Sequence, residues 1–190
     1  MDPVAALEAG LPVLLPTDTV YGLVSAPDED AVTRLYELKR RSRAQPTAVL
    51  APTIEALLEA VPELDAALLD KLLPGPYTLV VPNPSGRFPW LTGGKPGPIG
   101  VRVPDLPDET HRIVARIGIV LATSANDPGG PNPATLGDVP QRIRDGCGAE
   151  LDLGPLPGTP STVIDFTQDE PRILREGAVP ASDALRRLRA

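Results

Sequence analysis

Short apolar runs alternate with amphipathic stretches along the whole chain. Leu11–Leu15 is a continuous apolar run closed by Pro16, which predicts a buried strand. Ala31, Val32, Leu35 and Leu38 share one helical face. Asp28 or Asp30 supplies an N-cap for a helix through about Lys39. Thr47–Ala51 reads as a strand and Thr53 as the cap of a second helix. Leu64, Ala67, Leu68 and Leu72 give Glu63–Leu73 helical spacing, and Pro74-Gly75-Pro76 stops it. Tyr77–Val81 and Ile99–Val103 read as strands on either side of a Gly/Pro-rich loop from Pro82 to Pro98. Asp108–Ile117 is helical, Ile119–Ala122 a strand, Thr123–Gly137 a long polar loop and Asp138–Arg144 a short helix. Thr162–Phe166 and Arg172–Leu174 read as strands, and Ala181–Leu188 as a closing helix with arginines on its outer face. Alternation of strands and helices predicts an α/β sandwich. Two strand pairs lack a helix between them, so the sheet is expected to be mixed.

Composition narrows this picture. A chain of 190 residues fits one domain over 1–190. Hydrophobic residues are 42% and aromatics only 3%, so the core must be built from Leu, Val, Ile and Ala. The 25 prolines are spread among apolar runs, which fits a loop-rich globular domain and not a disordered chain. A formal net charge of -7 argues against a wholly basic nucleic-acid-binding surface but leaves room for a local basic patch. Cys147 is the sole cysteine, which excludes an intrachain disulfide. The first residues have neither a basic start nor a long apolar stretch, unlike a signal peptide, and no apolar run approaches the ~20 residues of a membrane span. A soluble, cytoplasmic protein is expected.

Four polar segments follow apolar strands or helices, where α/β proteins often place ligands. Thr17-Asp18-Thr19 offers two hydroxyls and a carboxylate for a small polar substrate; a turn that bonds its own backbone reads the same residues equally well. Lys39-Arg40-Arg41-Ser42-Arg43 suits a polyphosphate, or simply the negative end of a helix dipole. Thr123-Ser124-Ala125-Asn126 and the glycines after it allow a ligand close to the backbone, or form a long turn; the phosphate-binding pattern G-x-x-x-x-G-K-[ST] is absent. Ser161 and Arg175 suit a substrate hydrogen bond and an anion, or ordinary strand ends. His111, the only histidine, reads as a helix surface residue, and Cys147 as an inert loop position. Phe88 and Trp90 are expected to anchor the long loop. No Ser-His-Asp, Cys-His or zinc-ligand set can be assembled.

Taken in order, PTDTVYGL at 16–23, KRR at 39–41, PGPYTLV at 74–80, GVRVP at 100–104, TSAN at 123–126, STVID at 161–165 and ILREG at 173–177 resemble the YrdC/TsaC family, the L-threonylcarbamoyl-AMP synthases. The resemblance spans nearly the whole chain and is to the short, single-domain form. It implies a twisted mixed sheet flanked by helices, with a concave, positively lined cleft. It implies that L-threonine, bicarbonate and ATP give threonylcarbamoyl-AMP and pyrophosphate, the adduct passing to a transferase complex that modifies tRNA. By motif, Thr19, Arg102, Ser161 and the backbone at Ala122 would hold L-threonine. Lys39, Arg41 and Gln45 would face the phosphates, Lys39 and Arg41 as the catalytic cations, with Pro98, Ser124, Asn132 and Arg175 along the rest of the ATP site. Mg²⁺ is expected with ATP, without a dedicated protein site. Leu50 stands where some members carry a His, and Asn132 where others often carry Ser. The competing expectations are a double-stranded-RNA-binding module, which the net charge and the scarcity of aromatics disfavour, and a carbamoyl-transfer paralogue, which the intact TDTVYG disfavours.

Overall fold

The computed structural model describes residues 1–42, 47–92 and 97–189. Seven helices and nine strands form among them. In order they are α1 (Pro3–Glu8), β1 (Val13–Pro16), β2 (Tyr21–Ser25), α2 (Glu29–Lys39), β3 (Ala48–Leu50), α3 (Ile54–Ala60), α4 (Ala66–Leu72), β4 (Tyr77–Val81), β5 (Ile99–Arg102), α5 (Asp108–Ile117), β6 (Val120–Ser124), α6 (Gln141–Asp145), β7 (Ala149–Glu150), β8 (Thr162–Asp165), β9 (Arg172–Arg175) and α7 (Ala181–Arg189). The strands make one mixed sheet in the order β7-β1-β2-β6-β3-β5-β4-β8-β9. β7 with β1, β3 with β5 and β4 with β8 run parallel, and the other pairs antiparallel.

Local chemistry sets the helix starts. Asp28, Thr53 and Asp65 each accept a backbone N–H of the first turn, at Ala31, Ala56 and Ala67 respectively. The cap at Asp65 makes α4 shorter than the spacing suggests: Glu63 and Leu64 lie before it, although Leu64 still packs in the core. Four elements go beyond the sequence reading. α1 is capped by Asp2 with Pro3 in its first turn. β2 continues the segment that reads as a polar loop. β7 has two residues, and a 3-10 turn at Pro89–Thr92 follows Phe88. The rings of Phe88 and Trp90 lie 5.5 Å apart and pack against the main core, as expected of loop anchors.

The two faces of the sheet are covered unequally. On one face, Val49, Leu79, Val101, Leu121 and Ile164 meet α2, α3, α4 and α7, while Leu14, Tyr21 and Leu23 meet α2 and α6. On the other face, α1 and α5 pack on Val13, Leu15, Val24, Leu50 and Val120, and this cover thins out at Ala122. β1 and β2 are therefore buried on both sides, whereas β4 alternates, with Tyr77, Leu79 and Val81 buried and Thr78 and Val80 half-buried. The site lies where the second cover ends.

Candidate functional site

The open part of the second face is floored by small side chains in register. Ala122 pairs with Ala48, Ala48 with Gly100 and Gly100 with Val80, so one row crosses four strands. A Cβ on Gly100 would stand 3.5 Å from the Thr78 methyl and 3.6 Å from Ala48 Cβ. Above this floor is a cavity of about 250 Å³, whose walls include Thr19, Arg41, Thr47, Thr78, Arg102, Ser124, Ser161 and Arg175. Apart from Arg41, which follows α2, and Thr78, which lies within β4, each comes from a strand end or the loop beside it, where the chain leaves the sheet but its backbone is still fixed.

The Thr17-Asp18-Thr19 turn divides its work between the two readings its residues allow. Thr17 closes the β1–β2 hairpin: its hydroxyl donates to the Val20 carbonyl at 2.7 Å and accepts from the N–H groups of Thr19 and Val20. Thr19 lines the cavity. Asp18 accepts from Arg102 Nη2 at 2.8 Å and from the Thr19 hydroxyl at 3.1 Å, both at Oδ1. The ion pair is buried, with side-chain exposures of 11% for Arg102 and 7% for Asp18.

The cationic stretch after α2 also divides. Lys39 is 2% exposed and points to the neighbouring loop, donating to the carbonyls of Ser124 and Asn126 and to Asn126 Oδ1 at 2.6 Å. Its three donors are thus spent on the backbone that carries Ser124. Burial, reinforced by Arg41, pushes the Lys39 ammonium down to about 8. Arg40 caps α2 in a left-handed conformation, φ 52°. Arg41 turns into the cavity and donates to Thr123 Oγ1 at 3.1 Å.

Arg175, at the end of β9, reaches across to β8. Its guanidinium donates to the Ser161 carbonyl at 2.8 Å and to the Ser161 hydroxyl at 3.2 Å, and that hydroxyl lies 2.8 Å from Thr78 Oγ1. Burial lowers the pKa of Arg175, and the charges of Arg102 and Arg41 lower it further. Burial also lowers Arg41 and Arg102, with Asp18 opposing the shift at Arg102. Guanidinium groups nonetheless stay charged in proteins. The cavity therefore sets three guanidiniums against one carboxylate, which favours an anionic ligand.

Of the residues singled out from the sequence, Thr19, Arg41, Arg102, Ala122, Ser124, Ser161 and Arg175 meet at this cavity. Lys39, Pro98 and Asn132 are not in its lining, and Gln45 lies outside the described residues. Leu50, 1% exposed, packs among the apolar side chains beneath α1 and α5. Thr123, from the segment read as open to a ligand, also lines the cavity, and Thr47 and Thr78 line it without having been singled out for it. The alternation of β4 was the available signal for Thr78: Tyr77 and Leu79 face the core, so Thr78 must face away. His111 sits in the first half of α5, away from this lining, and burial pushes the Cys147 thiol up to about 12, an unreactive value. No cluster of three or more His, Cys, Asp or Glu able to hold a metal occurs among the described residues. No helix there is long and apolar enough to cross a membrane.

Comparison with known proteins places these features in context. The Sua5/YciO/YrdC family model, described as telomere recombination, matches residues 5–177. A putative threonylcarbamoyl-AMP synthase of Mycobacterium tuberculosis is 34% identical over 181 residues, covering 93% of this chain and 82% of its own. The threonylcarbamoyl-AMP synthase of Chromohalobacter salexigens is 36% identical over 175 residues, covering 89% and 93%. The crystal structure of P. abyssi Sua5 complexed with L-threonine superposes with a TM-score of 0.85 at 30% identity. That match covers 97% of this chain but 56% of the P. abyssi chain.

Proposed function

The chain belongs to the Sua5/YciO/YrdC family, and from that membership and the donor set of the cavity we propose that it is an L-threonylcarbamoyl-AMP synthase, making the adduct and pyrophosphate from L-threonine, bicarbonate and ATP. The observation that carries the reading is the convergence of Arg41, Arg102 and Arg175 with the hydroxyls of Thr19, Thr78 and Ser161 over a floor of small side chains. In the proposed reaction, the threonine amine bonds to the carbon of bicarbonate and a C–O bond breaks to release water, leaving the carbamate. A carbamate oxygen then bonds to the α-phosphorus of ATP as the bond to the β-phosphate oxygen breaks. Nucleophile and leaving group are both anionic, so holding them together and offsetting their charge is the main demand on the protein. Arg102, fixed by Asp18, suits the amino-acid carboxylate, and Arg41 and Arg175 suit phosphate oxygens. Lys39 serves by holding the Ser124–Asn126 loop. Gln45, Pro98 and Asn132 are proposed nucleotide contacts beyond the cavity lining.

The cavity has guanidiniums and hydroxyls where a resident metal would need several carboxylates, and Asp18 is already committed to Arg102. Mg²⁺ is accordingly proposed to travel with ATP as part of the substrate. The adduct would pass to a threonylcarbamoyl transferase acting on tRNA. A half-open cavity of this size suits small molecules, whereas a nucleic-acid duplex calls for an extended basic surface. The test is pyrophosphate release. Release that requires both threonine and bicarbonate, and that falls at least about tenfold in Arg41→Ala with the fold intact, supports the reading. Release indifferent to threonine would end it.

A further inference from the structure

The proton on the Thr19 hydroxyl has a fixed direction. Thr19 Oγ1 donates to Asp18 Oδ1 at 3.1 Å, and an ionised carboxylate can only accept. The other hydroxyl nearby, Thr17 Oγ1, has given its proton to the Val20 carbonyl at 2.7 Å, so it has none left for Thr19. A hydroxyl has one proton and two lone pairs. Since the Thr19 proton points to Asp18, what Thr19 presents to the cavity is an acceptor. Among the described residues, none donates to Thr19 Oγ1, since its 3.3 Å contact with the Thr17 hydroxyl brings it no proton.

The opposite wall has the reverse polarity. Ser161 Oγ accepts from Arg175 Nη2, and Ser161 and Thr78 share one bond of 2.8 Å between two hydroxyls. Two protons serve one shared bond, so one remains to donate into the cavity, alongside the guanidiniums. The cavity is thus a donor on one side and an acceptor at Thr19. A ligand that fills it must bring acceptors, such as a carboxylate, to the arginine side and a proton donor to Thr19.

We propose that Asp18 is a positioning residue that sets amino-acid specificity: by holding the Thr19 proton it makes Thr19 an obligate acceptor for the substrate β-hydroxyl, while its other hydrogen bond fixes Arg102 for the carboxylate. This rests on the synthase reading and adds to it the direction of the hydrogen bond that separates threonine from its hydroxyl-free isostere. With Ala at position 18, Oδ1 and both of its hydrogen bonds are lost together, and the Thr19 proton is free to turn into the cavity against the incoming hydroxyl.

The experiment compares L-threonine with L-valine as substrates for adenylate adduct formation, using the full chain with ATP and bicarbonate. The wild type should prefer threonine by about tenfold or more in kcat/KM, since valine leaves a buried polar group unpaired. Asp18→Ala should lose most of that preference through a raised KM for threonine, with the KM for ATP within about twofold of wild type. Thr19→Val, which keeps the Asp18–Arg102 pair, should lose it too, and it decides the matter should Asp18→Ala fail to fold. A wild type that prefers threonine, with the preference intact in either folded variant, overturns the proposal while leaving the synthase reading in place. A wild type that forms no adduct from threonine overturns both.

Discussion

Arg175 illustrates what a fixed side chain at a strand end contributes. It donates to one carbonyl and one hydroxyl of Ser161 with a planar group that lysine cannot reproduce. Arg175→Lys is expected to keep the melting temperature within a few degrees and to lose about tenfold or more in adduct formation. Arg186→Lys and Arg187→Lys, on the exposed face of α7, should stay near wild type. Steady-state kinetics on the three variants decides, and greater damage at 186 or 187 would move the site elsewhere. Lys39 gives a pH prediction. Its folded-state value is lowered to about 8 from 10.5, by burial and then by Arg41. Between those values the unfolded chain holds the proton and the folded chain sheds it, so this group's contribution to stability rises with pH across that window. Function moves the opposite way, because the neutral amine has one donor fewer for the Ser124–Asn126 loop. Turnover should therefore decline as pH rises through about 8, with no loss of fold by circular dichroism. A flat profile to pH 10 would show that the loop holds without the ammonium. At this scale the sequence names the right groups but not their tasks. Lys39 and Arg41 are two residues apart, yet one spends its donors on the loop after β6 and the other, past the left-handed turn at Arg40, faces the cavity.

The elements show a similar mixture. The helices with strong spacing and a capping residue were legible, and α5, which has spacing but no side-chain cap, also spans the expected Asp108–Ile117. β2 was not, because the turn before it has no Gly or Asn; the Thr17 side chain closes the hairpin instead. β7 is too short for any periodicity to register. The segment 151–161 has no regular structure, yet it links β7 at one sheet edge to β8 near the other and delivers Ser161 to the cavity. It is pinned on the way. The Tyr21 hydroxyl bonds Asp152 and the Gly154 carbonyl at 2.8 Å, Leu156 N–H donates to Ala134, and Gly158 N–H donates to Thr19. Tyr21→Phe leaves the core packed but removes the first pin, so it should cost about 1–3 kcal/mol and raise the rate of proteolysis within 151–160. Unchanged proteolysis would show that the other pins suffice. The far end depends on Gly177, where an added Cβ would lie 2.2 Å from the Pro160 carbonyl oxygen and 2.5 Å from that of Ser161. No rotamer relieves a clash with backbone, so Gly177→Ala should push Ser161 away from Thr78. Thermal unfolding should show a loss of about 1–3 kcal/mol together with a fall in activity. A stable, fully active Gly177→Ala would contradict the close approach.

For the whole molecule, the decisive feature is the unequal cover of one sheet. Helices α3, α4 and α7 back the strands β3, β4, β5 and β8 on one side, while α1 and α5 on the other side reach only as far as Ala122. The uncovered strands become a floor; strand ends supply Arg102 and Arg175, and the end of α2 supplies Arg41. This could not be read from the chain, since strands distant in sequence, such as β3 and β6 or β4 and β8, become neighbours only through the sheet order. Seven of the residues singled out from the sequence nevertheless line the cavity, because most of the motifs sit where a strand ends and KRR sits where α2 ends. The chain carries a formal charge of -7 while the cavity gathers three guanidiniums, so attraction of an anionic substrate is local and should weaken as salt rises. The central claim is that this half-covered face joins three substrates into one adduct. Its most direct test is mass spectrometry after incubating the protein with ATP, L-threonine and ¹³C-bicarbonate. The expected product is threonylcarbamoyl-AMP bearing one ¹³C, with an equal amount of pyrophosphate. Threonyl-AMP without the labelled carbon, or no adenylate at all from a folded protein, would contradict it.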